Sequence, residues 1–182
     1  MSATTKRDAS RTGICKGKKR TPNSELRTPN SEVRDENTGL GIGHQHGHRE
    51  CLLCGDKNPW SLGLAFEPDG EGGVRTTFQP HERLQGYGGM LHGGVAAALL
   101  DAAMTHCLFH RGVRAVTADL RVRYPHPVPM GVRVGLRAWV TETCEPLYRL
   151  KAELTDRDHR VLVWAQATFC EVSADGTAIV CS

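Results

Sequence analysis

Between Gly93 and His110 the sequence carries a helical repeat that is apolar around most of its circumference, and this repeat limits the fold more than any other feature. Val95, Leu99, Ala103 and Cys107 recur four apart, and Ala96, Leu100 and Met104 form the adjoining stripe. Two neighbouring apolar stripes with alanines between them need packing partners on most sides. Gly112 sets the helix end. The downstream sequence supplies the partners. Val116, Ala118, Leu120, Val122 and Tyr124 alternate with Thr117, Asp119, Arg121 and Arg123, and Pro125, Pro127, Pro129 and Gly131 stop that strand. Val132, Val134, Leu136, Ala138 and Val140 mark the next strand, and Tyr148, Leu150, Ala152 and Leu154 a third. A turn from Asp156 to His159 leads to a fourth, over 161–172. Upstream, 62–66 and 74–79 are shorter strand candidates around a turn at 68–73, and a glycine-bearing loop fills 80–91. The expected class is α+β: one long central helix wrapped by a curved antiparallel sheet of about five to six strands, the last four forming a meander.

Apolar residues are scarce in the first fifty positions and dense thereafter, which divides the chain into a basic, disordered tail or linker (1–48), one domain (49–175) and a short C-terminal tail (176–182). The tail contains a tandem heptad, Arg20 to Leu26 repeated as Arg27 to Val33, whose Pro-Asn-Ser units break helix and strand alike. The net charge of +3 is unevenly placed. Residues 1–20 hold seven Lys/Arg against Asp8, so the rest of the chain is net negative and is not a nucleic-acid binder by charge. The longest fully apolar run, Val95 to Leu100, is far too short to span a bilayer. Seven widely spread cysteines (15, 51, 54, 107, 144, 170, 181) read as reduced thiols of a cytoplasmic protein rather than a disulfide framework.

Chemistry enters at Leu91-His92-Gly93-Gly94. Backbone N–H groups at a helix start suit a developing oxyanion. Nine residues beyond His92, Asp101 places one carboxylate in an otherwise apolar helix, where a lone charge is costly without a purpose. The pair points to acyl transfer. Gly93 and Asp101 are eight residues apart, about 12 Å along a helix axis at ~1.5 Å per residue. One carbonyl cannot meet both groups from one chain, so a site that uses both draws Gly93 from one subunit and Asp101 from another. The loop at 86–94 lacks the Lys-Ser/Thr ending of a phosphate-binding loop and follows no parallel βαβ pattern.

In order along residues 51–173, the chain carries Cys51-Leu-Leu-Cys54-Gly55, Asn58-Pro59, Leu84-Gln85-Gly86-Tyr87, His92-Gly93-Gly94 with Asp101, and Thr117-Ala-Asp-Leu-Arg-Val-Arg-Tyr124 with Pro127 and Gly131. In these motifs it resembles the hotdog-fold acyl-CoA thioesterases, in particular the phenylacetate-pathway (PaaI-type) branch. The resemblance implies a helix wrapped by an antiparallel sheet, a homodimer or homotetramer, acyl-CoA as substrate and no cofactor. It implies that the Gly93 N–H polarises the thioester carbonyl, while Asp101 acts as general base on water or as nucleophile, two roles left open here. His92 shapes the loop near the thioester. Gln85 is the nearest side-chain amide, and Thr117 is a candidate to orient the water.

The CoA phosphates call for basic side chains, for which Arg121, Arg123, His126 and Arg149 are the candidates. Gly94, Tyr87, Met90, Leu91, Met104 and Leu108 are the expected acyl-pocket residues. A rival signal lies in Cys51 and Cys54 with two of the three nearby histidines His44, His46 and His48, which offer a tetrahedral zinc set. A second C-x-x-C is missing and the resemblance implies no metal in the chemistry, so no metal is assigned to the site. The different-class alternative is a non-catalytic acyl-CoA-binding domain.

Overall fold

The computed structural model describes residues 47–172. A two-residue strand β1 (Glu67–Pro68) and β2 (Val74–Phe78) form a hairpin, a 3₁₀ turn spans Glu82–Leu84, and α1 runs from Gly93 to Phe109. Four strands follow: β3 (Ala115–Arg123), β4 (Val134–Cys144), β5 (Leu147–Thr155) and β6 (Val161–Glu171). All six join one antiparallel sheet in the order β1-β2-β4-β5-β6-β3. This is the expected helix-in-sheet architecture. The connectivity departs from the expected four-strand meander, however. Only β4-β5-β6 is a meander, because β3 pairs with β6 at the far edge and β2 takes the place beside β4. The proline-interrupted segment 124–133 carries the chain from the edge strand β3 past β6 and β5 to the interior strand β4, a crossing no tight hairpin could make.

The helix faces the sheet's apolar side, and Leu99, Leu100, Ala103 and Met104 are wholly buried there. Cross-strand registers place Ala138, Ala152 and Ala165 side by side on β4, β5 and β6, all buried. Three methyl groups in a row form a shallow trough, and the larger Leu136, Leu150, Leu154 and Phe169 fill the space on either side of it. Gly112, at φ +70°, supplies the left-handed turn that ends the helix region. The segment 62–66, expected as a strand, is not one. The Leu62 and Leu64 N–H groups donate to the Leu52 and Leu53 carbonyls at 2.9 Å each, so the preceding turn, not the sheet, satisfies this stretch.

The alternation on β3 also departs from its expected phase. A β-bulge between Thr117 and Asp119 leaves Ala118 out of register. Thr117 therefore lies opposite Phe169 on the helix side of the sheet, while Val116 turns outward and is 46% exposed. Among the described cysteines, 51, 54 and 107 are free thiols, whereas Cys144 and Cys170 each carry a disulfide bond, a correction to the expectation of uniformly reduced thiols.

Candidate active site

The first turn of α1 accounts for its backbone N–H groups one by one. His92 caps the helix, and its Nδ1 accepts from the Gly94 N–H at 3.0 Å. The Val95 and Ala96 N–H groups both donate to the His92 carbonyl, at 2.9 and 3.1 Å. The Gly93 N–H, first in the helix, has no acceptor among the described residues. Gly93 is held from its other side, where the Tyr124 hydroxyl donates to its carbonyl at 3.0 Å and the Tyr124 ring lies against its Cα. Glycine is favoured at 94, where a Cβ would press on the His92 ring at 3.1 Å, whereas a Cβ at 93 would make ordinary contact with the Tyr124 ring at 3.6 Å. Tyr124 was not among the expected site residues. It falls on the apolar phase of a strand pattern, and nothing in that pattern says its hydroxyl reaches the helix start.

Gln85 braces the loop that precedes the helix. Its Oε1 accepts the Gly89 N–H at 2.8 Å, while Gly86 donates to the Met90 carbonyl at 3.0 Å and His92 to the Leu84 carbonyl at 2.9 Å. The loop 85–91 thus closes on itself and delivers His92-Gly93 to the helix start.

Asp101 sits two turns further along α1 and is half-buried. Its Oδ1 accepts a 2.7 Å hydrogen bond from the Thr117 hydroxyl, which the β-bulge brings to the helix side. Burial raises the Asp101 pKa above the ordinary carboxylate range, and the Thr117 hydrogen bond offsets only part of that rise. A carboxylate with one hydroxyl partner and a raised pKa is a stronger base than an ordinary surface carboxylate.

The remaining expected residues fall into three places. Leu91, Met104 and Leu108 are core residues in the described chain, at 7%, 0% and 1% exposure. Tyr87 is 81% exposed on the glycine loop, and Met90 bridges to Pro129. Arg121 and Arg149 line a cleft on the outer sheet face with Lys151 and Gln166, where Arg121 pairs with Asp119 at 3.3 Å and Arg149 with Glu142. Arg123 donates to the Val122 carbonyl, and His126 meets the Arg160 guanidinium at 2.8 Å.

A separate cleft of about 670 Å³, the size of a small-molecule site, opens beside the helix start. Leu53, Trp60, Leu62, Leu84, His92 and Val95 are among its walls. Trp60, 75% exposed, went unnoticed in the sequence, although an exposed indole two residues after Asn58 is an unusual surface choice. His44 and His46 lie outside the described residues. Among the described residues no helix is long and apolar enough to cross a membrane.

Comparison with known proteins adds a family to this geometry. A family model described as the thioesterase superfamily matches residues 88–163. The mouse acyl-coenzyme A thioesterase THEM4 is 40% identical over 53 residues, which make up 29% of this chain and 23% of that protein. The chain thus matches about a quarter of the length of its curated relatives. The crystal structure of a thioesterase superfamily protein designated RHA08564 is 26% identical with a TM-score of 0.64, over 66% of this chain and 63% of that one. The PaaI protein from the phenylacetic acid degradation operon of E. coli is 16% identical with a TM-score of 0.61, over 71% of this chain and 94% of its own, a likeness of fold.

Proposed function

We propose that the chain is a member of the hotdog-fold thioesterase superfamily, in its PaaI-type branch, and that it hydrolyses acyl-CoA thioesters to the free acid and CoA, a reading supported by the thioesterase-superfamily match over residues 88–163. The observation that carries this reading is the Gly93 N–H, the one donor of the first helical turn with no acceptor among the described residues. It lies where a thioester carbonyl oxygen gains most from a fixed dipole as negative charge develops. The Asp101 carboxylate, oriented by Thr117, removes a proton from water as the water oxygen bonds to the carbonyl carbon. The tetrahedral intermediate then collapses, the carbon–sulfur bond breaks, and the CoA thiolate leaves with the proton. The cleft beside His92, Val95 and Trp60 takes the acyl chain. Arg121 and Arg149 are candidates for the CoA phosphates.

Gly93 and Asp101 are two turns apart on one rigid helix, so the two groups that act on a single carbonyl come from two subunits. The free edge of β3 supports a two-fold pairing. It is the outer strand of the sheet, nine residues long, with Val116 and Tyr124 exposed and Thr117 beside them. The test is CoA release followed with a thiol-reactive dye over aryl- and alkyl-CoA substrates, for the wild type and Asp101→Ala. Turnover that collapses in the variant while CoA binding persists supports the hydrolase. Absence of turnover on every substrate, or turnover that survives Asp101→Ala, overturns it.

A further inference from the structure

The turn from His48 to Gly55 takes no part in the hydrolysis proposed above, yet it is built with more care than a surface turn requires. We propose that His48, Cys51 and Cys54 bind a zinc ion that braces the wall of the cleft beside the helix start. The His48 ring nitrogen and the two sulfurs all lie within 4.8 Å of one another. The His48 Nδ1 to Cys54 Sγ separation is 3.9 Å, close to the ~3.6 Å edge of a tetrahedron with Zn–S near 2.3 Å and Zn–N near 2.05 Å.

Four features hold these donors in place before any ion arrives. The Leu53 N–H donates to the Cys51 sulfur at 3.4 Å, which fixes where that sulfur points. Gly55 donates to the Cys51 carbonyl at 2.9 Å, and a Cβ there would fall 2.4–2.6 Å from the Arg49 oxygen and the Cys51 backbone. Only glycine can close the turn that sets both sulfurs on one side. The loop is latched by the Lys57 N–H to the Arg49 carbonyl and by the Arg49–Asp56 ion pair at 3.2 Å. The His48 ring meets Phe109, at the end of α1, edge to face at 4.7 Å, which ties the turn to the core.

The donor chemistry selects the ion. Two thiols and an imidazole, with no carboxylate in the group, favour a soft or borderline cation and disfavour magnesium or calcium. Three protein donors leave one tetrahedral corner for a water or a further donor. Zinc binding replaces the two thiol protons, which go to solvent, with a dication.

The brace acts through the backbone. Leu52 and Leu53, inside the turn, accept from the Leu62 and Leu64 N–H groups, so the turn, Trp60 and Leu62 form one wall facing His92 and Val95. The role is positioning, with no contact to the reacting atoms.

The test uses the full chain, purified under reducing conditions and dialysed, with metal content measured directly. The expected result is about one zinc per chain in the wild type and in Cys107→Ser, and its loss in Cys51→Ser and Cys54→Ser. Cobalt(II) added to metal-stripped wild type should give a near-ultraviolet thiolate-to-cobalt charge-transfer band, weakened in His48→Ala and absent in the double cysteine variant. Wild-type zinc no higher than in the double variant, together with no cobalt band, overturns the proposal. If the cysteine variants fail to fold, as circular dichroism would show, the cobalt titration of the wild type decides alone.

Discussion

Two aspartates in this chain meet opposite environments. Asp69, in the turn between β1 and β2, is almost enclosed, with its side chain 4% exposed. One of its oxygens accepts the Glu71 and Gly73 N–H groups at 2.8 Å each, and the other accepts Arg137 Nε at 2.8 Å. Burial by itself would raise its pKa, but Arg137 and the two backbone donors outweigh that and hold it below the ordinary carboxylate value. Asp101 lies half-buried on an apolar helix with one hydroxyl partner, and there burial prevails and raises its pKa. The balance between burial and bonding partners sets the direction of the shift. A fully bonded carboxylate serves the fold, and a sparsely bonded one remains available for chemistry.

The strongest way to break this comparison is activity. Asp101→Asn should lower kcat on a preferred acyl-CoA by roughly 10²–10⁴-fold, the usual weight of a general base, whereas Asp69→Asn should leave kcat within about twofold. Comparable losses in steady-state assays of both variants would mean that partner count does not separate the two roles.

Stability should respond in the reverse sense. Asp69→Ala strands two N–H groups and one arm of Arg137, whose other nitrogen keeps Glu71 at 2.6 Å, so urea melts should show a loss of about 2–3 kcal/mol. Asp69, with a lowered pKa, contributes stability above the ordinary carboxylate range and loses it as acid takes the pH down through the lowered value. Asp101, with a raised pKa, favours the fold below the ordinary range and gives that up as pH rises through the raised value. Asp101→Asn should therefore gain stability at pH 7, by less than ~2 kcal/mol, while losing activity. A destabilised Asp101→Asn would show that the charge itself supports the fold.

A smaller effect separates Thr117 from Asp101. Thr117→Val removes the one hydrogen bond that favours the charged carboxylate, so the acidic limb of the kcat/KM profile should move to higher pH, by up to about one unit. An unmoved limb would assign the titration to another group. The smallest effect is expected on the outer sheet face. Arg121 and Asp119 are 74% and 56% exposed in their side chains, so Arg121→Ala should change stability by under ~0.5 kcal/mol. It should raise KM for acyl-CoA with kcat unchanged, and an unchanged KM would move the phosphate site elsewhere.

How much of this could be read from the residues follows from how far each signal reaches. The start of α1 at Gly93, its end near Gly112, and β4, β5 and β6 were legible, because periodicity and glycine placement act over a few residues. Gly93 and Asp101 stand out as a candidate pair in the sequence alone, because an apolar helix with one carboxylate is a local anomaly. The resemblance carried by the ordered motifs led to the superfamily that the comparisons also give. What the sequence could not decide is which strand lies beside which. Alternation assigns faces and is silent about partners, so the place of β3 beside β6 rests on long-range hydrogen bonding. The bulge at Ala118, one unpaired residue, reverses the phase of the strand before it and alone turns Thr117 toward Asp101. The open Gly93 N–H likewise exists only once His92 has capped its neighbour and Tyr124 has taken the Gly93 carbonyl. Local pattern chose the groups and the His92 cap, and tertiary packing decided the rest, because the Thr117–Asp101 and Tyr124–Gly93 bonds join elements that are distant in the chain.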